Sequence, residues 1–135
     1  MGDKAFWNKD KTASVVLGKV KEFSISFNTY DANISVRGWY NKENFFSFGD
    51  TFKTISEAQK FVELIHQHVR AAWNKKKDAS VVLSKVKEFA IIPNGKDSKF
   101  TVRGWFNQEN YFTFGNDFID EEEARKFVEK LHNRI

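Results

Sequence analysis

Apolar and polar residues alternate with a period of two through several short runs of the chain, and then the period lengthens; the whole sequence of changes occurs twice. Runs rich in β-branched and aromatic residues, punctuated by Gly, Asn and Asp, predict strands over 14–20, 22–28, 33–40 and 44–48, and again over 80–86, 88–93, 99–106 and 110–114. Turn-forming residues fill the gaps: Asn28-Thr29-Tyr30-Asp31 and Asn94-Gly95-Lys96-Asp97 join one pair of strands, Asn41-Lys42-Glu43-Asn44 and Asn107-Gln108-Glu109-Asn110 the next. Ala58, Phe61, Val62, Ile65 and Val69 then fall at helical spacing, echoed by Ala124, Phe127, Val128, Leu131 and Ile135. Ser56 with Gln59 and Asp120 with Glu123 predict the capping boxes that start these helices, and the acidic residues at 121–123 suit a helix N-terminus. Each half therefore predicts an antiparallel meander closed by one helix. Whether its first two strands are separate, or one strand bent near Lys21, the pattern leaves open.

A shift of 66 residues lays Trp7 on Trp73, Phe23 on Phe89 and Trp39 on Trp105 without a gap. Over 7–69 against 73–135 there are 35 identities in 63 positions, including the shared strings WNK, ASVVL, KVKEF, VRGW and KFVE. A unit of that size buries little surface alone, so two copies are expected to share a core. The expected fold is α+β: tandem β-β-β-β-α repeats at 1–70 and 71–135, packed as an intramolecular pseudo-dimer in one composite domain.

Strand parity sorts the side chains into two faces. Ile34, Val36, Gly38 and Tyr40 share one face with Phe46 and Phe48; Ser35, Arg37, Trp39, Phe45 and Ser47 share the other. The second half repeats this with Phe100, Val102, Gly104, Phe106, Phe112 and Phe114 against Thr101, Arg103, Trp105, Tyr111 and Thr113. The first set suits a helix-covered core. The second puts Arg37, Trp39, Phe45 and Ser47, and Arg103, Trp105, Tyr111 and Thr113, on the open sheet face. Aromatic rings there can stack on bases, Arg can pair with phosphate or stack, and hydroxyls can bond base edges or sugar. The same residues suit a sheet-packing or protein interface equally well. Lys19, Lys21, Lys85 and Lys87 form paired KVK segments whose alternation could line a backbone-tracking groove, or protect an edge strand from aggregation. Further lysines follow the Trp-Asn dipeptides, and Trp7 and Trp73 are expected to anchor the connecting segments.

Composition narrows the class. Hydrophobic residues make up 41% of 135 and aromatics 16%, with 15 Phe, 4 Trp and a single Pro, which gives ample core material and excludes a disordered chain. With no Cys there is no disulfide framework, thiol nucleophile or thiolate zinc site. A net charge of +4 is too mild to indicate nucleic-acid binding by bulk attraction, so the placement of charge must carry that case. No run reaches membrane-span length and 1–10 lacks a signal-type apolar stretch, so a cytoplasmic protein without membrane contact is expected. His66 and His68 stand two apart, a poor helical metal pair, and His132 matches His66. Glu43 and Glu109 lie in equivalent turns without a companion acid or base. No catalytic residue, metal or cofactor is expected, and the chain reads as a non-enzyme.

Four strands and a helix, duplicated in one chain, resemble the Pur repeat family and the broader Whirly and positive-cofactor group of single-stranded nucleic-acid binders. Ile34-Ser35-Val36-Arg37-Gly38-Trp39 looks like the cofactor family's strand with an apolar-x-Ile/Val-Arg-x-aromatic pattern, and Val102-Arg103-Gly104-Trp105 repeats it. The resemblance implies that Arg37, Trp39, Arg103 and Trp105 sit on a concave nucleic-acid face. Gly49-Asp50-Thr51 and Gly115-Asn116-Asp117 replace that family's basic Lys-Gly loop. The expected function is binding of single-stranded DNA or RNA by stacking and phosphate contacts. The alternatives are a protein-interaction module or inhibitor, of phage type or regulatory, using the same face, and a binder of a nucleotide-like small ligand. A protein partner and a homodimer are the further partners considered.

Overall fold

In a computed structural model describing residues 4–134, each half opens on a short hairpin that the alternation pattern only partly predicts. β1 (Ala5–Trp7) pairs antiparallel with β2 (Ser14–Val16), and β6 (Ala71–Trp73) pairs with β7 (Ala79–Val82). The turn between them is built by one side chain: Asn8 Oδ1 accepts from the backbone N–H of Thr12 at 2.9 Å and of Ala13 at 3.3 Å, and Asn74 does the same for Asp78 and Ala79. Lys11 and Lys77, both at φ 60°, supply the left-handed residue that closes it.

The predicted strands at 14–20 and 80–86 are not continuous. The chain leaves β2 at Val16 into a 3-10 turn, Leu17–Lys19, and leaves β7 at Val82 into Leu83–Lys85. Leu17 and Val20 are both buried. Three positions apart, they would face opposite ways along a strand, whereas a 3-10 turn brings i and i+3 to the same side. The bend thus falls at 17–19 and not at Lys21.

The remaining strands are β3 (Glu22–Phe27), β4 (Ile34–Trp39) and β5 (Phe45–Phe52), then β8 (Glu88–Pro93), β9 (Phe100–Trp105) and β10 (Tyr111–Phe118). β5 and β10 run further than the alternation predicts, through irregularities in register around Gly49 and Gly115. Gly49, at φ 154°, takes a backbone conformation that L side chains rarely adopt, and Phe48 and Phe52 on either side of it are both buried. α1 (Ile55–His66) and α2 (Glu121–His132) cover one side of their sheets with Ala58, Val62 and Ile65, and with Ala124, Val128 and Leu131. Val69 lies beyond α1, and Ile135 lies outside the described residues. Asp120 caps α2 through the N–H of Glu123 as expected, but α1 is capped by Thr54 through the N–H of Glu57, not by Ser56 with Gln59.

The protein is thus mixed α+β, with antiparallel sheets and, among the described residues, two α-helices. Its largest sheet has the order β5-β4-β3-β7-β6, so the hairpin of the second half continues the sheet of the first. Glu22 faces Val81, Phe23 faces Ser80 and Ser24 faces Ala79. β10-β9-β8 forms a second sheet, and β1-β2 stands as a third. The pairing between halves is therefore one-sided: a reciprocal arrangement would also set β2 on β8, and among the described residues no strand lies there. The β6–β7 hairpin serves two interiors, with Val82 in the first core and Val81, Ala72 and Leu83 in the second. No helix among the described residues is long and apolar enough to cross a membrane.

Candidate nucleic-acid interface

The register of β4 on β5 sets Arg37 opposite Ser47 and Trp39 opposite Phe45; that of β9 on β10 sets Arg103 opposite Thr113 and Trp105 opposite Tyr111. All eight project from the face opposite the helices. Val36, Phe48 and the glycine between Arg37 and Trp39 belong to the other face. That glycine is a packing requirement: a Cβ on Gly38 would lie 2.8 Å from Phe48 Cε2, and one on Gly104 would lie 3.0 Å from Phe114 Cε2.

On the outward side the guanidinium of Arg37 lies 4.4 Å from the Phe45 ring centre, and Trp39 and Phe45 rings are 4.8 Å apart. Arg103 lies 4.2 Å over Tyr111 and 5.9 Å from Trp105, with the two rings 4.7 Å apart. Each half therefore presents a guanidinium within cation–π distance of one member of a ring pair, Phe45 in the first and Tyr111 in the second. Phe45 and Tyr111 are exposed, Trp39 and Trp105 half-buried. The halves differ in one detail. Trp39 Nε1–H donates to Ser24 Oγ at 2.9 Å, whereas Ala90 stands at the corresponding place beside Arg103 and offers Trp105 no acceptor. The Arg103 Nε–H is covered and has no hydrogen-bond partner.

The lysines do not form an alternating strand. Lys19 and Lys85 end the 3-10 turns, while Lys21 and Lys87 precede β3 and β8. Lys19 and Lys87 are exposed, Lys21 and Lys85 half-buried, and the Lys21 ammonium lies 5.6 Å from the ring centre of Phe106 in the other half. Lys9 and Lys75 are held locally. Lys9 sits 4.6 Å over Phe52 and 3.8 Å from Glu57; Lys75 sits 4.6 Å over Phe118 and 3.2 Å from Asp117. Trp7 is exposed, whereas Trp73 packs on His66 at 5.0 Å.

Between the halves lies a cleft of about 250 Å³, lined by Lys21, Glu22, Trp39, Asn41, Phe106 and Tyr111 among others. It joins the Trp39 cluster of one half to Tyr111 of the other. Burial pushes the Glu22 carboxyl up to about 7, with Lys21 pulling the other way. Glu22, Asn41 and Phe106 were not among the expected site residues. No local pattern reveals them, because the cleft is created by β7 pairing with β3, a contact between distant segments. Glu43 also lines this cleft, and Glu109 is exposed in its own turn.

His66 is a junction residue: its Nε2 is 2.9 Å from Ser80 Oγ, and burial, helped by Arg134, draws its pKa down to about 4. Among the described residues no group of three His, Asp or Glu side chains is arranged to hold a metal ion. No family model, curated protein or solved structure matches the chain.

Proposed function

We propose that the chain is a non-enzymatic binder of single-stranded nucleic acid, built of two repeats of one unit, in which Trp39, Phe45, Trp105 and Tyr111 stack on bases while Arg37 and Arg103 engage phosphate or base edges. The repeat reading rests on the 66-residue identity and on the recurrence of each element in order, joined head to tail by β7 on β3. The observation that carries the function is the Arg-on-aromatic cluster, which occurs twice with nearly the same spacings on faces away from the helices. A guanidinium beside a ring still carries terminal N–H donors that can meet an anion, and adjacent rings offer a surface that any base can cover. Ser47, Thr113, Lys19, Lys21, Lys85 and Lys87 are assigned supporting contacts. The resemblance to Pur-repeat and positive-cofactor proteins points the same way.

The test is anisotropy of a labelled single-stranded oligonucleotide. Losing two stacking residues at about 1–3 kcal/mol each should weaken binding at least about 30-fold in a Trp39→Ala/Trp105→Ala double variant. Affinity should also fall steeply with added salt, and duplex should bind more weakly. Wild-type affinity retained in a folded double variant would overturn the stacking mechanism. One observation favours a second reading: the cleft between halves has aromatic walls and a half-buried acid, a setting in which a single base or nucleotide would fit. A mononucleotide that binds as tightly as an oligomer would select it.

A further inference from the structure

The junction between the halves is made from residues that both halves carry, yet it is used once. The β6–β7 hairpin docks on β3 and the end of α1 through identifiable contacts. Val82 N–H donates to Lys21 O at 2.8 Å, Ile25 N–H donates to Asp78 O at 2.9 Å, Ser80 Oγ meets His66, and Trp73 packs on the same imidazole. Shifted by 66, the docking surface is Lys87, Glu88, Phe89, Ile91 and His132, and the docking hairpin is β1–β2 with Trp7, Ser14, Val15 and Val16. Every one of these residues is identical to its counterpart in the used junction.

Both surfaces are open. Val82 is 2% exposed where its counterpart Val16 is 42% exposed, and Trp7 is 53% exposed. Ser80 is buried and Ser14 exposed; Glu22 is half-buried and Glu88 exposed. A groove lined by Ser14, Val15, Val16, Lys19 and Tyr40 runs beside β2. In the second half the matching positions lie against β3, where Lys21 rests over Phe106, the counterpart of Tyr40. The β1–β2 hairpin cannot easily turn to fill its own chain's β8, because Phe6 is clamped between Phe48, Phe61 and His68 and Val15 is part of the first core.

We infer that the partner of the free β8 edge is the β1–β2 hairpin of a second copy of this chain, docked as β7 docks on β3. The inference rests on the repeat reading and not on strand binding, so oligonucleotide affinity and self-association can fail separately. The predicted pairs are Val15 with Glu88, Ser14 with Phe89 and Ala13 with Ala90 across chains. Because donor and acceptor are different surfaces, the contact is heterologous and gives a closed ring or an open row.

Sedimentation velocity over a broad micromolar range should show species of two or more chains. Val16→Lys, at an exposed site, should leave the far-ultraviolet dichroism of the folded chain unchanged and shift the protein to single chains. The absence of native Cys permits a direct check of register: Ala13→Cys and Ala90→Cys chains, mixed and oxidised, should form a disulfide-linked pair, whereas either alone should not do so through this contact. A wild-type protein that sediments as one chain throughout overturns the inference, and so does an associated wild type whose Cys variants do not cross-link.

Discussion

Glu22 shows how one residue takes its chemistry from a distant segment. Its neighbours across the sheet are Trp39 and Val81, and their cover raises its pKa to about 7. The folded chain therefore holds a proton between pH 4.5 and 7 that the unfolded chain releases, and the stability this brings is lost as pH rises through 7. His66 acts with the opposite sign: lowered to about 4, it makes the unfolded chain the better proton acceptor between 4 and 6.5, so stability falls as pH drops through that range. The two slopes oppose each other in mildly acidic solution. Glu22→Gln should raise the melting temperature at pH 8, leave it near wild type at pH 4.5, and expose the acid-side decline due to His66; circular-dichroism melts across pH read all three. Nothing beside Glu22 in sequence distinguishes it from Glu88. Arg37 and Trp39 were legible, because a strand's parity is local and the intervening Gly38 belongs on the crowded side under Phe48.

At the scale of elements, each helix start can be tested against its mistaken rival. Thr54→Ala should cost about 1 kcal/mol, a few degrees in melting temperature, while Ser56→Ala should change little. Asp120→Ala should match Thr54→Ala. The correct cap was legible by comparison, since Asp120 less 66 is position 54, but Ser56 and Gln59 offered a local motif two residues late. The 3-10 turns were legible only through spacing: Leu17 and Val20 are both apolar, and a strand cannot bury both on one side. The extension of β5 past Gly49 was masked by Asp50 and Thr51, which are exposed and polar because that end of the strand lies at the sheet's rim.

For the whole molecule, the decisive element is a hairpin that serves two interiors. Because Val82 packs into one core and Val81 into the other, neither half can lose its order without stripping cover from its neighbour. Thermal unfolding followed by far-ultraviolet dichroism and by tryptophan fluorescence should superimpose in one transition. Val81→Ala should lower that single transition by about 2 kcal/mol, and a split into two steps would contradict the coupling. The self-similarity at a 66-residue shift was plain in the sequence. How the copies meet was not, because identical residues are compatible with mutual embrace as well as with a queue, and only strand order separates the two. On the repeat reading proposed above, a queue has no intrinsic last member: in-frame copying of 66 codons would add a block whose first hairpin meets the β8 edge of the block before it.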